Sequence, residues 1–377
     1  MLILSSILAI FVYGMIAATL GTILPDLSAR FNLTPSQNGK IAFAQAVGLM
    51  IASLLIGPLM DKQGDKVGLV LGLTFAVISL FTLPRSRGFG TVVVLLFVLG
   101  LGGGMIVTGA NSLASSVSES YRATTLNLVN LFFGLGGLAT PFISANLLNK
   151  NSTRLCYLMT AITAATLAVH IATPMPGPSA TTSFAVSQLR PMLSNPALFL
   201  FAFFLFLYVA CEVGVWNWFA QHLIAQGLPE SRALNILSLG FALGLLIGRV
   251  IVSRVLVSVP ALTVILWSSI AMAVSTFAML QVKRPIVAGA FVFLAGVAMA
   301  PVFPTTLAVV VGVFPNAAST ALGTVIACGW LGLAVSSRII GAIAGGDARR
   351  LKSALMIIPV FSLVMVAVSL AIERILR

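Results

Sequence analysis

The stretch "GPLMDKQGDKVG", residues 57–68, sets four charged side chains, Asp61, Lys62, Asp65 and Lys66, within six positions. Elsewhere the chain shuns charge: only 8% of its 377 residues are Asp, Glu, Lys or Arg, and 59% are hydrophobic. Soluble domains carry about a quarter charged and about 45–50% apolar residues. A single soluble core could not bury so much apolar surface in a chain of this length. The charged stretch therefore reads as a short loop joining segments that lie in a solvent other than water.

That solvent is lipid. A helix rises 1.5 Å per residue, so crossing a hydrocarbon slab about 30 Å thick takes about 20 apolar residues. Twelve stretches qualify, roughly 2–24, 38–60, 67–83, 90–115, 123–148, 153–173, 196–225, 229–257, 260–280, 283–312, 317–344 and 352–375. Open strands are excluded, because lipid cannot satisfy their backbone groups. The first stretch is not expected to be a signal peptide: no Lys or Arg precedes Arg30, the run is too long, and no A-x-A site ends it. The expectation is an all-α, multi-pass membrane protein.

Charge and motifs narrow the function class. The net charge of +13 suits loops lying against acidic lipid headgroups. The basic residues are spread over many short loops, which argues against nucleic-acid binding. Cys156, Cys211 and Cys328 show no C-x-x-C spacing and read as small core residues. His170 and His222 sit near helix ends, away from any G-x-S motif, and neither H-E-x-x-H nor G-x-x-x-x-G-K-[ST] occurs. No catalytic residues, metal site or cofactor are expected, and the chain is not read as an enzyme or an ATP-driven pump.

The Pro-, Ser- and Thr-rich stretch 173–196 divides the chain near its middle. It separates an N-terminal six-helix bundle, 1–173, from a C-terminal one, 196–377, through a cytoplasmic linker, 174–195. The halves echo each other at an offset near 194. "FVY" at 11–13 returns as "FLY" at 206–208, "LTPSQNG" at 33–39 faces "GLPESRA" at 227–233, and "LLIG" at 54–57 recurs at 245–248. A parallel duplication of six helices is a transporter plan, with substrate bound near the midplane between the repeats.

Gly57, Asp61, Lys62, Gly64 and Lys66 resemble the helix two–three loop signature of the major facilitator superfamily: Gly, three residues, Asp, a basic residue, any residue, Gly, then two basic residues. Asp65 departs from it, standing where the first of the final basic pair belongs. A glycine-assisted turn ends the helix there, and Asp61 is placed to meet the positive end of a neighbouring helix. Such a contact, made in one state and broken in the other, would gate the conformational cycle. "GLGGGMIVTGANSLAS" (100–115), "LNLVNLFFGLGGLATP" (126–141), "FLYVACEVGVWNW" (206–218) and "AGVAMAPVFPTTLA" (295–308) look like helices four, five, seven and ten of the fucose permease-like branch. The resemblance implies twelve helices in two pseudo-symmetric bundles, and sugar:cation symport by alternating access. Gly21 and Val107 replace that branch's coupling carboxylates, and Asn130 and Phe133 stand where it places Gln and Asn.

A charge at the bilayer centre costs about 2.5–3.5 kcal/mol, so one found there calls for a reason. Glu212, midway along helix seven, is the candidate for cation coupling, with a proton or sodium as the ion. Arg338 could bind an anionic substrate, pair with Glu212, or snorkel to the interface. Arg249, near a helix end, reads as structural, as do Thr108, Asn111 and Asn127. A sugar needs groups that both donate and accept hydrogen bonds, and an aromatic face for its C–H side. The midplane residues that supply them are Tyr13, Gln45, Asn130, Phe133, Trp216, Asn217 and Trp330. The expectation is a monomer in the cell inner membrane, in contact with membrane lipid, with both termini and the 57–68 loop cytoplasmic, although Lys and Arg are more numerous in the loops on the opposite side. An exporter of drugs or organic anions and an uncoupled uniporter are the competing readings.

Overall fold

The computed structural model describes residues 1–177, 191–282, 284–345 and 350–377, so most of the expected linker lies outside the described residues. Among the described residues, twelve helices are long and apolar enough to cross a membrane. They are α1 (Leu2–Phe31), α2 (Ser36–Gln63), α3 (Asp65–Arg85), α4 (Phe89–Ser116), α5 (Arg122–Asn146) and α6 (Ser152–Ala172), followed by α7 (Pro196–Ala225), α8 (Glu230–Val255), α9 (Ala261–Gln281), α10 (Val287–Val313), α11 (Pro315–Ala344) and α12 (Leu351–Leu376). Among the described residues there is no strand. Large apolar side chains such as Leu55, Phe142, Phe199, Trp267 and Leu363 stay exposed, as a surface facing lipid tails requires.

The ends of the helices follow from local chemistry. α1 runs past residue 24, through Pro25, to Phe31; proline is tolerated in a membrane helix where neighbours re-satisfy the freed carbonyl. Its stop is Asn32 at φ 49°, whose amide, like that of Leu33, returns to Ser28 O. α2 starts with a capping box: the Thr34 hydroxyl accepts from the Gln37 amide, and the Gln37 side chain accepts from the Thr34 amide. Gly64 separates α2 from α3 at φ 90°, a conformation that a residue with a Cβ rarely adopts. A π-helical turn, Ile236–Ala242, interrupts α8.

Helix packing shows the duplication more sharply than the sequence does. Gly48 of α2 leaves no room for a Cβ against Phe97 O of α4, and Gly244 of α8 does the same against Phe293 O of α10. Gly100 against Gln45 O is repeated by Gly296 against Phe241 O. Gly136 of α5 against Phe11 O of α1 is repeated by Gly332 of α11 against Phe206 O of α7. Five of these six positions have their counterpart 196 residues later, and Phe11 has its counterpart 195 residues later. Absent side chains let the backbones touch, which is how membrane helices gain contact without a hydrophobic driving force.

Packing divides the chain into two units. The first comprises Met1–Arg122, Val129–Arg190 and Phe314–Ala327; the second comprises Ala123–Leu128, Pro191–Val313 and Cys328–Arg377. The first turns of α11 therefore belong to the first unit, and those of α5 to the second. These two segments also correspond under the same offset.

Candidate gate and solute site

Within the first unit, Ser53, Gly57 and Asp61 lie four residues apart on one face of α2. That face meets the start of α11. A Cβ on Gly57 would come within 2.6 Å of Ser319 O and of Thr320 Cα, and one on Gly323 within 2.1 Å of Ser53 O. The two helices touch along their backbones there. At the end of the stripe, Asp61 Oδ1 accepts the Ser319 amide at 2.9 Å. Its Oδ2 accepts the Thr320 amide at 2.9 Å and the Thr320 hydroxyl at 2.5 Å. The first amides of a helix have no partner inside it and carry about half a positive charge. Asp61 thus caps α11 from outside. Lys66 does the reverse for α6, donating to Ile171 O at 2.7 Å and Thr173 O at 3.0 Å, where carbonyls lack partners. Lys62 is exposed.

The first unit also holds four of the expected solute residues. Tyr13 of α1 stacks on Phe133 of α5, with centroids 5.3 Å apart and planes at 28°. Asn130, one turn before Phe133, donates to Asn111 Oδ1 of α4 at 2.7 Å, and Asn111 in turn donates to Val107 O. Tyr13, Asn130 and Gln45 are buried. Asn111, read from sequence as structural, is the polar partner of Asn130.

The other expected residues lie in the second unit. Trp216 packs edge-on against Phe241, in the π-turn of α8, at 5.2 Å. Asn217, the next residue on α7, donates to Ser337 Oγ of α11 at 3.2 Å, and Trp330 lies half-buried on the same helix. Glu212, one turn before Trp216, has Tyr208 and Arg249 as the groups acting on it. Tyr208 is wholly enclosed and Arg249 is 4% exposed. Arg249, read as structural from its place near a helix end, is therefore the guanidinium in the neighbourhood of the helix-seven carboxylate; a long side chain carries its charge far from its own Cα.

Residues 6–337 match the family model for the Major Facilitator Superfamily. The chain belongs to that superfamily. It is 25% identical over 382 aligned residues to the glucose/mannose transporter GlcP of Bacillus subtilis, covering 97% of this chain and 92% of that protein. The fold matches the fucose:proton symporter FucP of Escherichia coli with a TM-score of 0.84 at 17% identity, covering 98% of both chains. It also matches the human organic anion transporter MFSD10 with a TM-score of 0.78 at 16% identity. A superfamily transporter of twelve helices is a multi-pass integral membrane protein. Its loop signature was legible at Asp61, whereas nothing in the sequence marked Ser319 and Thr320 as the partners.

Proposed function

We propose that the chain is a secondary transporter for a sugar, of the hexose class, working by alternating access between the bundles 1–173 and 196–377. The observation that carries this reading is the end-to-end relationship to a glucose/mannose transporter. It is supported by the pairing of an aromatic stack, Tyr13 on Phe133, with the Asn130–Asn111 amide pair in the same unit. These offer a ring face and both donors and acceptors, which a sugar requires. Gln45, Trp216, Asn217 and Trp330 complete the proposed solute set. Gly57, Asp61, Lys62, Gly64 and Lys66 form the proposed gate, on the cytoplasmic side of the cell inner membrane together with both termini. The protein works as a monomer.

Glu212 is assigned to cation coupling, as a symporter carboxylate that exchanges its ion once per cycle. Uptake of labelled glucose into proteoliposomes, driven by an imposed proton or sodium gradient, tests the assignment. Glu212→Gln should abolish accumulation against the gradient while leaving solute exchange intact. Accumulation by E212Q equal to that of the unsubstituted protein would remove Glu212 from the role. Failure of both proteins to take up any hexose would remove the substrate.

A further inference from the structure

The superfamily signature places a basic residue where this chain has Asp65. The structure shows where that carboxylate goes. Asp65 is the first residue of α3, directly after the Gly64 turn, and its Oδ1 accepts the Ser319 hydroxyl at 3.3 Å. The same Ser319 gives its amide to Asp61. Its Oγ also lies 2.9 Å from Ser112 Oγ of α4, and Ser112 is within hydrogen-bonding reach of Asp65. One serine at the head of α11 is therefore held by two carboxylates and a second hydroxyl, which come from α2, α3 and α4.

We propose that Asp65 is a second latch residue, which together with Asp61 holds the first turn of α11 in the first unit. The charge chosen at this position is the physical reason. A cation at 65 would face the positive ends of both α3 and α11, whereas a carboxylate is attracted to both. Two carboxylates so close together repel each other. Their repulsion is offset by the amides and hydroxyls of Ser319 and Thr320, which are divided between them. The latch thus depends on α11 being seated, and releasing α11 leaves Asp65 with Ser112 and the start of α3. The proposal rests on reading the α2–α3 junction as a transporter gate, but its test needs no substrate.

Hydrogen–deuterium exchange of the purified full-length protein reads the latch directly, because opening frees the amides of Ser319 and Thr320. A hydrogen bond to a charged group is worth about tenfold or more in such an equilibrium. Asp65→Asn should therefore speed exchange across 315–324 by about fivefold to tenfold, and Asp65→Arg should speed it more. Exchange across 123–128, the corresponding segment of α5, should stay unchanged. In a Ser319→Ala background, D65N should add little, since the shared partner is already gone. Exchange across 315–324 within twofold of the unsubstituted protein would overturn the proposal. So would an increase confined to 65–70, which would mean that Asp65 only starts α3. Should D65N fail to fold, Ser112→Ala and Ser319→Ala carry the same expectation for 315–324 and the same refutation. Faster exchange without hexose uptake would keep the latch and discard the sugar; uptake without faster exchange would do the opposite.

Discussion

Asp61 accepts its hydrogen bonds from a helix start 258 residues further along the chain. Bonds to a charged acceptor are each worth about 1.5–3 kcal/mol net, so the contact is strong enough to hold one state and weak enough to break. Asp61→Asn keeps the shape but removes the charge and turns a donor toward one of the two amides. A cysteine at position 108, buried against the α11 crossing in the Thr108→Cys variant, should then be alkylated at least tenfold faster; an unchanged rate would dissociate Asp61 from closure. Gly323→Ala acts on the same crossing by sterics, since its Cβ would lie 2.1 Å from Ser53 O. Overpacking of this kind costs about 1–3 kcal/mol, and its effect on alkylation should combine with that of D61N less than additively. Gly21→Ala, with nothing within 4 Å of the added Cβ, should be neutral. At the proposed solute residues, Asn130→Ala leaves the buried Asn111 amide short of a partner. It should weaken hexose binding in isothermal titration by about tenfold or more, and equal affinity would take Asn130 out of the site.

Element by element, the fold was legible where lipid imposes a rule and opaque where packing chooses among allowed conformations. Twelve apolar runs of about the right length stood out because hydrocarbon tolerates little else, and the Thr34–Gln37 box that opens α2 is a local signal. Thr34→Ala should cost about 1 kcal/mol and speed exchange of the Gln37 amide, with other helices unaffected. The last seven residues of α1 escaped notice because Pro25 breaks a soluble helix but not a membrane one. The π-turn of α8 has no residue signature, and Phe241 within it meets Trp216 edge-on. The site was legible to the same extent. The carboxylates Asp61 and Glu212 were conspicuous as charges in an apolar chain, whereas Ser319, Thr320 and Asn111 are ordinary residues that matter only through what folding brings to them.

At the scale of the whole chain, the duplicated glycine contacts show that both halves use one packing scheme, and the contact of Asp61 with α11 shows where they differ. In the second unit, Thr124 at the start of α5 donates to Ser253 O of α8, at 3.2 Å, and Val257 stands 196 residues after Asp61. One crossing is therefore charged and its counterpart neutral. Salt and charge substitutions should act on the α11 crossing and leave the α5 crossing as it is, as exchange at 315–324 and 123–128 would report. Cysteines at Lys66 and Lys150 test the orientation, with impermeant reagent from the cytoplasmic side expected to reach position 66 alone. The claim beneath all of these is that a sugar passes through the protein. Counterflow tests it without requiring that any ion be coupled. Proteoliposomes preloaded with unlabelled glucose should take up external labelled glucose in a transient overshoot that mannose suppresses. Label that only equilibrates, at the rate of protein-free vesicles, would contradict it.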